Sequence, residues 1–137
     1  MTYAGDLTPT QAWDMLQESP RAVLVDVRTQ AEWSFVGVPD TSGIGRTTAF
    51  VEWNTFPEGT RNEQFLDQLA EAGVTGEEPV VFLCRSGARS IAAAEAATAA
   101  GFGPAYNVLD GFEGATNTDG HRGDAGWRAE GLPWKQS

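Results

Sequence analysis

The apolar run Pro79-Val80-Val81-Phe82-Leu83 leads directly into Cys84-Arg85-Ser86-Gly87-Ala88-Arg89, and an alanine-rich stretch over 91–101 follows. A short apolar run without polar alternation suits a strand covered on both faces, as in a parallel sheet. A polar loop containing glycine, followed by strong helix formers, then predicts strand, tight loop and helix. Cys84 is the only cysteine of the chain, and it stands at the turn. In open parallel sheets, ligands bind beyond the carboxyl ends of strands. The N–H groups of the loop and of the first helical turn carry partial positive charge there, which stabilises thiolate over thiol. Arg85 and Arg89 add to the same field. Thiols in such surroundings ionise at roughly 3.5–7.5, against about 8.5 for a free cysteine. The chain is therefore expected to present one nucleophilic sulfur.

The plainer alternative is an inert cysteine closing a hydrophobic strand, since free cysteine is among the most buried residue types. Two guanidinium groups and a glycine so close by would be costly around an inert core thiol, because buried charges need partners. Loop length narrows the chemistry further. Arg85, Ser86, Gly87 and Ala88 separate Cys84 from Arg89, whereas protein tyrosine phosphatases place one residue more in the equivalent interval. Each added residue widens the ring of amides around the sulfur, and a tetrahedral phosphoryl group needs the larger bowl. The shorter loop fits a smaller guest, such as one extra sulfur atom on Cys84.

With 137 residues, 41% of them hydrophobic and five of them tryptophan, the chain is expected to form one domain over 1–137, with a core spanning 6–134. Nine basic against nineteen acidic residues leave a net charge of −10, which repels a nucleic-acid backbone. Positive charge must then be local, and Arg28, Arg85 and Arg89 are expected to form a cationic pocket suited to a small anion. The opening residues Met1-Thr2-Tyr3-Ala4-Gly5-Asp6 show neither a basic start nor an apolar run, so no secretory signal is expected. The longest apolar stretch is dominated by alanine and interrupted by Glu95 and Thr98, which argues against a membrane span. A single cysteine excludes an internal disulfide and fits a reducing cytoplasm. His121 is the only histidine; it reads as a solvent-exposed loop residue. Together with one distant cysteine it does not make a metal site, and no cofactor is expected.

Along the chain, Thr8-Pro9-Thr10 opens a helix, with Thr8 as N-cap, Pro9 at the first helical position and Ala12, Trp13 and Leu16 as its buried stripe. A strand is expected over 22–27, a helical turn over 29–35, a Gly/Pro-rich loop over 37–45 and a strand over 50–53. An amphipathic helix over 62–72 turns Phe65, Leu66 and Leu69 inward and closes at Gly73. After the strand over 80–83 come the cysteine loop, a helix over 90–100 and a last strand over 105–109. The tail over 111–137 reads as a loop packed by Phe112, Trp127 and Trp134. Strands alternating with helices indicate an α/β layer structure. Trp33 and Trp53 read as packing residues. Asp26 and Arg28 lie two apart in a strand and so point the same way. They either form a structural ion pair or help to orient the cysteine loop through Arg89.

The hexad 84–89 resembles the Cys-Arg-x-Gly-x-Arg signature of the rhodanese-like sulfurtransferases. Similar to that family, too, are Val23-Leu24-Val25-Asp26-Val27-Arg28, Glu32-Trp33, Val38-Pro39 and Tyr106-Asn107-Val108-Leu109-Asp110-Gly111-Phe112. Two departures are visible: Gly37-Val38-Pro39-Asp40 where the family often has His-Ile-Pro-Gly, and Asp110 where it often has glycine. The resemblance implies a central, mostly parallel sheet flanked by helices on both faces. It also implies transfer of a sulfane sulfur from a small anionic donor such as thiosulfate to a thiophilic acceptor (cyanide, a small thiol or a protein cysteine) through a Cys84 persulfide. Cys84 would be the nucleophile, and Arg85, Ser86, Gly87, Ala88 and Arg89 the substrate-binding loop. Asp26 and Arg28 would support it. Three other readings stay open beside this one: a small phosphatase or arsenate reductase, disfavoured by loop length; a non-catalytic interaction module, disfavoured by the cysteine; and a persulfide carrier.

Overall fold

A computed structural model describes residues 3–55 and 57–136. Met1, Thr2, Phe56 and Ser137, which include the first residues read for a secretory signal and the last of the glycine-rich tail, lie outside the described residues. The elements run in the order β1 (Gly5–Leu7), α1 (Pro9–Glu18), β2 (Val23–Asp26), α2 (Gln30–Val36), β3 (Val38–Pro39), β4 (Ala49–Phe50), α3 (Phe65–Glu71), β5 (Val80–Leu83), α4 (Ala88–Ala99), β6 (Ala105–Val108) and β7 (Trp134–Lys135). A 3-10 turn, Ser42–Ile44, lies between β3 and β4.

Five strands form one parallel sheet in the order β1-β6-β5-β2-β4, and β3 pairs antiparallel with β7 apart from it. The cysteine-bearing strand β5 is central, flanked by β2 and β6. Because side chains alternate across a strand, β5 feeds two apolar layers. Val80 and Phe82 pack with Val25, Phe65, Leu69, Ala93, Ala94 and Ala97. Val81 and Leu83 face the other way, toward Ala12, Leu16, Leu24, Phe112 and Trp127. All four β5 side chains are fully buried, each worth about 1.5–3 kcal/mol for Val, Leu or Phe. Alanines on the inner face of α4 let that helix lie close on the sheet. The α/β architecture with helices on both faces is as expected.

Local chemistry explains the element ends. The Thr8 side chain accepts from the Gln11 N–H while the Gln11 side chain accepts from the Thr8 N–H, a capping box that starts α1. The expected strand over 50–53 is shorter. Regular pairing stops at Phe50 because β2 ends at Asp26. The chain still runs alongside, with the Val51 and Trp53 N–H groups donating to the Asp26 and Val27 carbonyls at 3.1 Å each. The expected helix over 62–72 begins only at Phe65. Asn62 is occupied instead as a brace, its Nδ2 donating to the Glu52 carbonyl at 2.8 Å and its Oδ1 accepting from the Gln64 N–H at 3.1 Å. α4 begins at Ala88, two residues before the expected start, so Arg89 belongs to its first turn. The tail is not all loop, since Trp134 and Lys135 pair with Val38 and Pro39. Phe112 and Trp127 are fully buried, whereas Trp134 is 41% exposed. No helix among the described residues is long and apolar enough to cross a membrane.

Candidate active site

Cys84 leaves the end of β5 and its side chain is only 1% exposed. The loop bends back so that the Gly87 N–H donates to Sγ at 3.0 Å. That bend needs φ 118° at Gly87, a conformation that favours glycine. Ser90, in the first turn of α4, places Oγ 3.2 Å from Sγ. The same oxygen is 2.5 Å from Asn107 Oδ1 and 3.1 Å from the Gly87 carbonyl. Asn107 of β6 in turn donates through Nδ2 to Asp6 Oδ1 at 3.0 Å, and the Tyr3 hydroxyl donates to the same oxygen at 2.7 Å. The bond to Asp6 is the main cause that raises the Tyr3 phenol above its ordinary value.

The loop is braced from behind by the chain after β6. The Phe112 N–H donates to the Cys84 carbonyl at 2.8 Å and the Glu113 N–H to the Arg85 carbonyl at 3.0 Å. A Cβ on Gly111 would collide with the Cys84 carbonyl oxygen and the Arg85 backbone, so a glycine is required there. Asp110, the departure noted above, adopts a φ of 63° and is exposed at the rim.

The loop's two arginines differ. Arg89 is held bidentately by Glu32 of α2, at 2.7 and 3.0 Å. Glu32 also closes the capping box of α2, its Oε1 accepting from the Thr29 N–H and hydroxyl at 3.1 Å each. Burial alone would push the Glu32 carboxyl up; the Arg89 guanidinium and the Thr29 bonds outweigh it and hold it at about 2. Arg89 is raised in return, first by its hydrogen bonds to Glu32, against the effect of burial, with the charges of Glu32, Cys84 and Asp26 adding to the rise. Arg85 is exposed and has no ion-pair partner among the described residues. Ser86 is half-buried and Ala88 exposed.

Two expectations need correction. Arg28 does not contribute to an open cationic pocket: it is fully buried, bound to Asp26 through Nη2 at 2.7 Å and to the Gly37 carbonyl at 2.8 Å, with its guanidinium 4.2 Å from the centre of the Phe112 ring. Nor does Asp26 pair with Arg89, because Arg28 saturates its carboxylate and Glu32 takes Arg89. Asp26 and Arg28 thus form the structural ion pair at the strand end. The residues that sequence reasoning passed over are Ser90, Asn107, Asp6 and Glu32 as partners of the loop. For Glu32 a signal existed, since Thr29-Gln30-Ala31-Glu32 spells a capping box. His121 is an exposed loop residue whose N–H donates to Asn117 Oδ1 at 3.0 Å. A cavity of about 580 Å³ lies between α2, β3 and β4, lined by Trp33, Pro39, Thr41, Arg46 and Phe50 among others. Cys84 is not among its lining residues.

The structure thus sets a buried cysteine at the end of a central parallel strand, under a tight loop and a helix start. Comparisons with known proteins bear on the family of the chain. The family described as STR4 middle domain matches residues 5–137. The crystal structure of Rv0390 from M. tuberculosis superposes with a TM-score of 0.92 at 62% identity, covering 99% of this chain and 100% of that one. An uncharacterized protein of Rickettsia conorii, RC0915, is 37% identical over 131 residues, 95% of this chain and 96% of its own length. Thiosulfate sulfurtransferase GlpE of Glaesserella parasuis is 31% identical over 109 residues, 80% of this chain and 83% of that protein. The chain belongs to the rhodanese-like family of sulfurtransferase-type proteins.

Proposed function

We propose that this protein is a thiosulfate-type sulfurtransferase that carries a sulfane sulfur on Cys84. The observation that carries the reading is the sulfur itself: one cysteine at the end of β5, its Sγ receiving the Gly87 N–H at 3.0 Å within a loop of four residues closed by Arg89. In the first half-reaction the Cys84 thiolate attacks the outer sulfur of thiosulfate. A sulfur–sulfur bond forms on Cys84, the bond inside the donor breaks, and sulfite leaves with its electron pair. Arg85, exposed at the mouth and without an ion-pair partner among the described residues, holds the sulfonate end, while Arg89 and Glu32 keep the loop in shape. Backbone N–H groups stabilise the terminal sulfur as they would an oxyanion. In the second half-reaction an acceptor takes that sulfur: cyanide, a small thiol or the cysteine of another protein. With no second cysteine in the chain, Cys84 cannot resolve its persulfide as an internal disulfide, so the sulfur leaves to another molecule. A reducing cytoplasm suits such a thiol.

Incubation with thiosulfate followed by intact-protein mass measurement is expected to show the gain of one sulfur atom, lost on addition of cyanide and absent in Cys84→Ser. An unchanged mass with thiosulfate and with a polysulfide donor would overturn the reading. Cys84-dependent turnover of an aryl phosphate, at a rate matching its sulfur transfer, would place the protein with the phosphatases instead.

A further inference from the structure

The hydrogen-bond chain behind the sulfur has a fixed direction. Asp6 presents a carboxylate, which accepts only, so the Asn107 amide must turn its NH₂ toward Asp6 and its oxygen toward Ser90. Asn107 Oδ1 is also an acceptor only, and 2.5 Å from Ser90 Oγ it must receive the hydroxyl hydrogen. Ser90 has a single hydrogen to give. With that hydrogen on Asn107, a lone pair of Ser90 Oγ faces Sγ at 3.2 Å, an arrangement that suits the S–H of a thiol and opposes a bare thiolate. When the sulfur carries charge, the hydroxyl can rotate and donate to it, at the expense of the bond to Asn107. Ser90 and Asn107 are fully or almost fully buried, so water does not replace the lost partner.

Resting on the sulfur-transfer reading above, we propose that Ser90 is a catalytic residue whose hydroxyl, beside the Gly87 N–H, stabilises charge on Sγ. Asp6, acting through Asn107, is a positioning residue that draws this hydrogen away from the sulfur at rest. The role falls chiefly in the second half-reaction. There the acceptor thiolate or cyanide attacks the outer sulfur, a new bond forms to it, the persulfide sulfur–sulfur bond breaks, and its electron pair remains on Sγ. A better-stabilised Sγ is a better leaving group. In the first half-reaction the same donor favours the thiolate that attacks. Asp6 thus restrains the site: it sets the Asn107 amide in the orientation that competes with the sulfur. Removing Asp6 frees the amide to flip, so that Asn107 donates to Ser90 Oγ and releases the Ser90 hydrogen to Sγ at 3.2 Å. The Gly87 carbonyl at 3.1 Å competes for that hydrogen, and a charged sulfur is the stronger acceptor.

The two ends of the chain are therefore expected to act with opposite sign, which a purely structural role would not produce. Two rates are to be measured for wild type, Ser90→Ala and Asp6→Ala: alkylation of Cys84 by iodoacetamide at fixed neutral pH, and discharge of the thiosulfate-loaded protein by cyanide, followed by mass. Ser90→Ala is expected to slow both by about 3- to 10-fold, the range of one hydrogen bond. Asp6→Ala, an exposed position on an edge strand, is expected to speed both by a similar factor. Wild-type rates in Ser90→Ala would overturn the proposal, and a slowing in Asp6→Ala would overturn the role of Asp6. Should Ser90→Ala not fold, the sign of the Asp6→Ala effect decides alone. If the wild type takes up no sulfur but alkylation shifts in the two directions, the sulfur-transfer reading fails while the assignment of Ser90 and Asp6 to Cys84 holds.

Discussion

Arg85 and Arg89 carry the same charge four positions apart, yet their surroundings differ. The Arg89 guanidinium is already spent on Glu32, with side-chain exposures of 22% and 18% for the pair, so little of it is left for a ligand. Arg85 has its donors free at the mouth. Arg85→Ala is accordingly expected to raise the thiosulfate concentration for half-maximal rate by about 10-fold or more, the worth of a charge-assisted hydrogen bond, with the melting temperature unchanged. Arg89→Ala should instead cost roughly 2–3 kcal/mol of stability, because Glu32 keeps a half-buried charge without its partner. Steady-state kinetics and thermal melts separate the two. An unaltered thiosulfate dependence in Arg85→Ala would show that the donor is held elsewhere.

At the scale of elements, the N-terminus of α2 and that of α4 are joined through one carboxylate. Glu32 caps its own helix through Thr29 and anchors the other through Arg89, so the short α2 serves as the strut of the cysteine loop. This makes the strut sensitive to acid. The Glu32 carboxyl is held at about 2 in the folded chain against an ordinary value of 4.5. A carboxyl depressed on folding stabilises fully above its unfolded value and loses that contribution as the pH falls through the folded one. On the order of 2–3 kcal/mol should therefore disappear between about pH 5 and pH 2. Glu32→Gln is expected to lower stability at neutral pH and to flatten this part of the profile, as measured by urea unfolding at a series of pH values. An identical acid dependence in wild type and Glu32→Gln would exclude the carboxylate as its source.

Across the whole molecule, the three central strands supply both apolar layers, β2 through Val25 and Leu24, β6 through Ala105 and Val108, and β5 with Phe82 facing α3 and α4 and Leu83 facing α1, Phe112 and Trp127. We propose that the layers consequently fold as a single unit over the length of the chain. Phe82→Ala and Leu83→Ala empty opposite layers, and each is expected to cost about 2–5 kcal/mol while calorimetry still shows one transition. Two separated transitions in either variant would mean that the layers are independent. The tail contributes to the same unit, since Trp127 is fully buried and its indole N–H donates to the Pro133 carbonyl at 2.8 Å.

Much of this arrangement was legible in the residues alone. The apolar run before Cys84, the glycine after it and the alanines beyond it determine strand, loop and helix, because each is a local preference of the backbone and of burial. The α/β layering and the place of Cys84 at a strand end, under a glycine loop, follow from them. What only the tertiary structure decided is which charge meets which. Asp26 and Arg28 pair two residues apart, whereas Arg89 reaches Glu32 across 57 positions and Asn107 reaches Asp6 across 101. No local pattern encodes such partners. They depend on the order β1-β6-β5 placing Asp6 beside Asn107, and on α2 ending its first turn against that of α4. The chemistry proposed for the sulfur rests on six consecutive residues; the hydrogen bonds around it come from strands and helices brought together by burial, which is not specific to any pair of positions in the chain.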